Sequence, residues 1–184
     1  NKQIKQIEKL INEFSEFARM PKPDFKKNDI VSIIKDNIKL LKEIDLNTEI
    51  NFKTFNKNII LNCDAEQISR VFLNLIKNAL ESIDQRYEKT PNFVKKIDID
   101  ISNINDYIQV EIADNGIGFS DFDRKNLFKP YFTTKKKGSG LGLSIVNKII
   151  NDHTGSIEFL KKSNGAKVIL KFPNNVNWDT YNRR

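Results

Sequence analysis

Two glycine-bearing runs carry the residue types best suited to holding a phosphate-rich ligand. Asp114-Asn115-Gly116-Ile117-Gly118 and Gly138-Ser139-Gly140-Leu141-Gly142-Leu143 contain five of the seven glycines in the chain. Glycine lets a backbone adopt unusual dihedrals and approach a ligand closely. The second run leads directly into an apolar helical pattern, and the first amides of a helix can meet anionic phosphate. Lys135, Lys136 and Lys137 stand just before it. Between the runs, residues 115–138 show no convincing regular element over most of their length, and irregular segments longer than about 12–15 residues are often lids. Familiar phosphate-binding patterns are absent. There is no G-x-x-x-x-G-K-[ST] sequence, and a dinucleotide-binding loop would need glycine where Leu143 stands. Either run alone is better read as a turn whose glycines serve geometry.

A third group of residues changes that balance. A capping-box-like start, Asp64-Ala65-Glu66-Gln67, opens a strong helix with Ile68, Phe72, Leu75, Ala79 and Ile83 on one apolar stripe. Asn74 and Asn78 lie four residues apart on a different face, together with Glu81. Such a face can simply be solvated. It can equally hold a hard cation and its phosphate ligand, because Mg²⁺ prefers oxygen donors and keeps several of its waters.

The remaining elements must bring these segments together. Ile4, Ile7, Ile11, Phe14 and Ala18 repeat at spacings of three and four, a heptad-like seam that predicts a helix in need of a partner helix. Met20-Pro21-Lys22-Pro23 ends it. Asn28 or Asp29 can cap a second helix running to about Ile44. Thr48 to Phe55 and Ile59 to Leu61 read as strands, and Tyr87 to Phe93 as a loop. Ile97-Ile99-Ile101 and Ile108-Val110-Ile112 alternate with polar residues, which predicts an antiparallel hairpin with one wet face. Leu141 to Ile150 is a helix, and Ser156 to Leu160 and Lys167 to Phe172 are closing strands around Ser163-Asn164-Gly165. The mixture lacks regular strand–helix–strand alternation and predicts an α+β fold, with helices on one face of a mostly antiparallel sheet.

Composition excludes several classes. The chain has 184 residues, 39% hydrophobic and 30% charged, which suits one packed domain with a short appended element. No run of about 18 apolar residues is present to span a membrane. The single cysteine, Cys63, and the single histidine, His153, rule out a Cys- or His-rich metal centre, and a reducing compartment is expected. The net charge of +7 is spread through an Asn-, Lys- and Ile-rich chain and is better read as compositional bias than as a nucleic-acid stripe. Salt-sensitive DNA binding would reverse that reading.

Together the segments form a recognisable series. Asn74-Leu75-Ile76-Lys77-Asn78-Ala79 resembles the asparagine box of histidine-kinase ATP-binding domains. The Asp114–Gly118 run resembles their first glycine box. Phe128-Lys129-Pro130-Tyr131-Phe132-Thr133-Thr134-Lys135 resembles the phenylalanine box, and Gly138–Leu143 the second glycine box. Four boxes in order are far more specific than any one, and the resemblance covers residues 24 to about 173. It implies the Bergerat two-layer α/β sandwich, with ATP and Mg²⁺ as ligands. Asn12-Glu13-Phe14-Ser15-Glu16-Phe17-Ala18-Arg19, followed by Pro21 and Pro23, resembles the end of the dimerisation helix in nitrogen-regulation kinases of the NtrB/NtrY type. The implied organisation is residues 1–20 from the dimerisation helix, 21–27 a linker, 28–173 the catalytic ATP-binding domain and 174–184 a polar tail.

The resemblance also implies roles. Asp114 would accept from the adenine amino group, and Gly116 and Gly118 would let the backbone pass the ring. Asn78 would coordinate Mg²⁺, and Asn74 would shape the phosphate side. Lys135 would touch the β- or γ-phosphate. Gly138, Gly140 and Gly142, with amides near Leu141, would line the triphosphate. Tyr131 and Phe132 either clamp the lid or belong to the core. Hydrolytic relatives carry a glutamate at the position of Asn74, and an amide cannot be that base. The site is therefore expected to present the γ-phosphate to another nucleophile, a histidine outside this chain. His153, at the end of the helix after the second glycine box, reads as structural. The implied partners are the phosphoacceptor helices of a homodimer and a response regulator, in the cytoplasm, with no nucleic acid. The alternative is a degenerate nucleotide-binding scaffold.

Overall fold

The computed structural model describes residues 4, 11, 15, 20–133 and 138–174. Ile4 and Ile11 are helical and exposed; the rest of the heptad seam, Lys135, and Trp178 and Tyr181 of the tail lie outside the described residues. From Lys26 the order is β1 (Lys26–Asp29), α1 (Ile30–Ile44), β2 (Glu49–Thr54), β3 (Ile60–Cys63), α2 (Ala65–Lys89), β4 (Lys96–Ile104), β5 (Tyr107–Asp114), α3 (Asp121–Asn126), α4 (Gly142–Asp152), β6 (Ser156–Lys161) and β7 (Ala166–Pro173).

The main sheet runs β2-β4-β5-β7-β6, antiparallel throughout except for the parallel β2–β4 pair. β1 and β3 form a separate antiparallel pair. Alternation along the strands divides the sheet. Ile97, Ile99, Ile101, Val110, Ile112, Leu170 and Phe172 are buried beneath the helices. Each such fully buried side chain contributes about 1.5–3 kcal/mol. On the outer face Lys167 pairs with Glu111 at 2.6 Å and Asn51 donates to Asp98 at 3.0 Å. The helices form the second layer, with α2 packed against both α1 and α4 and against β5. This is the two-layer α+β sandwich expected from the sequence.

Two local expectations need correction and one gains detail. The described residues between 115 and 138 are irregular over most of their length, as expected, but they include α3, which Ser120 caps through a capping box with Asp123 that closes the first turn. The helix α2 does not end before Tyr87. Its apolar stripe stops at Ile83, but Arg86 holds the Asn115 carbonyl at 2.7 Å and stacks on Phe93, which extends the helix to Lys89. A strand, β1, begins at Lys26 within the expected linker, and its polar sequence gives no alternation to reveal it. The α1 cap is Asp29, whose carboxylate accepts from Val31 and Ile59; Asn28 donates instead to the Cys63 carbonyl.

Candidate nucleotide-binding cleft

The cleft is built along α2. Asp64 caps this 25-residue helix by accepting from the amides of Glu66 and Gln67, both at 3.0 Å. Ile68, Phe72, Leu75, Ile76, Ala79 and Ile83 anchor it in the core. A second stripe, Arg70, Asn74, Asn78 and Ser82 with Lys77, Glu81 and Gln85, lines a cleft of about 580 Å³. Ile112, Ala166 and Val168 of the sheet supply an apolar floor. Phe119, Leu127 and Phe132 form the lid-side wall, and Gly138, Gly140, Gly142 and Leu143 the opposite rim.

Asp114 ends β5 at the cleft and is 7% exposed. Its Oδ1 accepts from Gly116 N–H at 2.8 Å. Burial raises the pKa of this carboxyl above its ordinary 3.8, while the amides of Gly116 and Ala166 and the charge of Lys162 pull the other way. A desolvated, oriented carboxylate facing an apolar slot can accept from an amino group that lies flat within that slot. It rejects a group offering only an acceptor at the same position.

Gly116 does not line the cleft. A Cβ there would meet the backbone of Ser82 and Ile83, and Ile117 N–H donates to the Ser82 carbonyl at 3.2 Å. The lack of a side chain lets the loop after β5 rest directly on α2, which fixes Asp114 against the helix. Gly118 lines the cleft.

At the other end, Asn74 is held by two neighbours. Its Nδ2 donates to the Arg70 carbonyl at 2.9 Å, and its Oδ1 lies close against Gly142 at the start of α4, where a Cβ would come within 2.9 Å. Asn78 lies one turn along, facing the same cleft. Gly140 has φ +71° and no room for a side chain against the Tyr131 backbone, and Tyr131 N–H donates to its carbonyl at 3.1 Å. Tyr131 itself sits at φ +66°, a left-handed conformation that costs about 1 kcal/mol or more in a non-glycine residue. Its ring is 57% exposed and not in the core, whereas Phe132 is half-buried, lines the cleft and meets Phe122 edge-on. Leu141 turns its side chain into the core, with its N–H 3.4 Å from Ser139 Oγ.

The structure therefore brings Asn74, Asn78, Asp114, Gly118, Gly138, Gly140 and Gly142 to one cavity from separate segments. Arg70, Ser82 and Gln85 share it unforeseen; extending the Asn74–Asn78 face by four residues in each direction would have found the first two. The donors present suit magnesium shared with phosphate oxygens: the carboxamides of Asn74 and Asn78 face the cleft one turn apart, and no cluster of three His, Cys, Asp or Glu able to hold a metal occurs among the described residues.

His153 lies elsewhere, buried at the end of α4. Its Nδ1 is 2.8 Å from the Ile149 carbonyl, so that nitrogen carries the proton, and Nε2 accepts from Asp64 N–H at 3.1 Å. Burial lowers its pKa below 6.5, against the favourable charges of Asp64 and Asp152. The structural reading of this residue holds. Cys63 is fully buried and its thiol is pushed up to about 12 by burial.

Residues 63–176 match the family of histidine kinase-, DNA gyrase B- and HSP90-like ATPases, and the chain belongs to that family. Within it, the chain is most usefully compared with sensor kinases. A protein named as an NtrY-like sensor histidine kinase in Rickettsia conorii is 34% identical over 167 residues, which cover 90% of this chain and 27% of that protein. The nitrogen regulation protein NtrY of Azorhizobium caulinodans is 34% identical over 164 residues, covering 85% of this chain and 20% of its own length. The chain thus spans only about a quarter of the length of these relatives. The catalytic domain of the histidine kinase ThkA superposes with a TM-score of 0.71 at 28% identity, covering 82% of this chain and 96% of that domain. The family and fold expected from the four boxes are those found.

Proposed function

We propose that this chain is the catalytic ATP-binding part of a two-component sensor histidine kinase. One observation carries the reading: Asp114, Asn78, Asn74 and the glycine-rich rim, from separate segments, face a single cleft with an apolar floor. In this reading adenine lies on Ile112 and Val168 with its amino group on Asp114. The phosphates run along α2 past Asn78 and Asn74 toward Gly138–Gly142, and Lys135 takes the phosphate-contacting role that the resemblance implies. Bound Mg²⁺, taken by the Asn78 carboxamide oxygen, would screen the phosphate charge.

The chemistry is positioning with charge stabilisation. An imidazole nitrogen from a histidine outside this chain attacks the γ-phosphorus. The bond to the β–γ bridging oxygen breaks, ADP leaves, and the phosphoryl group passes later to a response-regulator aspartate. Asn74 supplies no base for water, which favours this transfer over hydrolysis. Residues 1–20 would continue a dimerisation helix, residues 21–25 a linker, and residues 174–184 a tail after a domain that starts with β1 at Lys26. In this reading the chain belongs to the cytoplasmic part of a larger kinase. No described helix is long and apolar enough to cross a membrane.

The test is incubation with γ-labelled ATP, Mg²⁺ and a separate histidine-bearing helical domain. Label on that domain is the expected result. Nucleotide binding without any transfer would instead indicate a regulatory scaffold.

A further inference from the structure

The cleft stripe of α2 does not end at Asn74. Arg70 lies one helical turn before it and lines the same cavity. Its carbonyl accepts from Asn74 Nδ2, so the two residues share one local geometry. The helix serves as a ruler along the cleft. The loop after Asp114 touches it at Ser82. The start of α4 touches it at Asn74. From Ser82 to Arg70 the axis rises about 18 Å, at about 1.5 Å per residue.

A nucleotide with its base at Asp114 therefore extends its phosphates toward Arg70, and negative charge accumulates in that direction. We infer that Arg70 contacts the terminal phosphate and makes this site discriminate a nucleoside triphosphate from a diphosphate. The inference rests on the nucleotide-site reading above and adds a specificity residue to it. A guanidinium suits the task because its fork of donors matches phosphate oxygens and its charge is permanent. A diphosphate ends about one turn earlier, at the carboxamides, and leaves Arg70 without that contact.

The test is calorimetric titration of the whole 184-residue chain with Mg²⁺ and either ADP or a non-hydrolysable ATP analogue. Arg70→Gln should weaken binding of the analogue about tenfold or more while leaving ADP within about twofold. Retained ADP binding also shows that the variant is folded. Arg70→Lys should recover part of the loss, because a point charge remains without the fork. Equal weakening for both nucleotides, or no weakening for either, would overturn the role of Arg70 while leaving the site itself standing. A wild-type chain that binds neither nucleotide would overturn the nucleotide site and this inference together.

Discussion

The two ends of α2 use similar residues to different effect. At its first turn, polar groups bind one another. Asp64 caps the helix with Oδ1, catches the Asp24 amide with Oδ2 at 2.9 Å, and offers its own N–H to His153. Gln67 donates to the Pro21 carbonyl, and Phe25 meets the His153 ring edge-on at 5.0 Å. From Arg70 onward, Asn74, Asn78 and Glu81 face a cavity shared with residues from the far side of the fold. The first region ties the chain entering the domain to the start of the helix. The second keeps polar groups converging on a space large enough for a small molecule. Polar residues that saturate one another locally are architecture, and polar residues that converge on a shared void are a site.

Substitutions can separate these roles. The largest effect is expected for Asp114→Asn, which should weaken ATP binding roughly 100-fold by placing a donor where an acceptor is required. Folding should be unharmed or improved. Burial raises the carboxyl pKa, so desolvating the ionised group carries a cost on folding that the neutral amide avoids. Unchanged ATP affinity would remove the adenine assignment. Next, Asn78→Ala should abolish the Mg²⁺-dependent part of ATP affinity and phosphotransfer to a supplied acceptor domain; undiminished transfer would refute its role.

At the architectural end, Asp64→Ala should cost about 1–2 kcal/mol of stability in urea unfolding, because it removes a helix cap. Nucleotide affinity in the folded variant should stay near that of the wild type. A large loss of affinity without loss of stability would break the distinction between the two ends. The smallest effect concerns His153. Its folded-state pKa lies below 6.5, so the unfolded chain takes up a proton first as the pH falls. Its contribution to stability is complete above 6.5 and is lost as the pH falls from there toward the folded-state value. Unfolding midpoints between about pH 5 and 8 should show this slope in the wild type and less of it in His153→Gln. Identical slopes would mean that the buried ring carries no such linkage.

Much of the cleft was legible because its segments carry unusual residues at tight spacing. Asn74 and Asn78 advertise one helix face, and the glycine runs advertise backbone that must come close to something. Asp114 stands out as an acid at the end of an alternating apolar strand. Arg70 and Ser82 were missed because an arginine or serine on a helix surface is ordinary until something faces it. The α3 cap at Ser120 was overlooked because a six-residue helix has too few turns to show a period. The tie from His153 to Asp64 spans 89 residues, and no local pattern can announce such a bond.

Local chemistry written along the chain determined the helices, the wet and dry faces of the strands, the glycine runs and the family they resemble. These follow from periodicity, capping and backbone freedom, which act over a few residues. Tertiary structure alone decided the strand order with its one parallel pair, and the seating of Gly116 beneath α2. It alone brought Arg70 to the same cavity as Asp114 and the far glycine rim. Those outcomes depend on which apolar faces bury one another, and that free energy belongs to surfaces meeting across the whole fold.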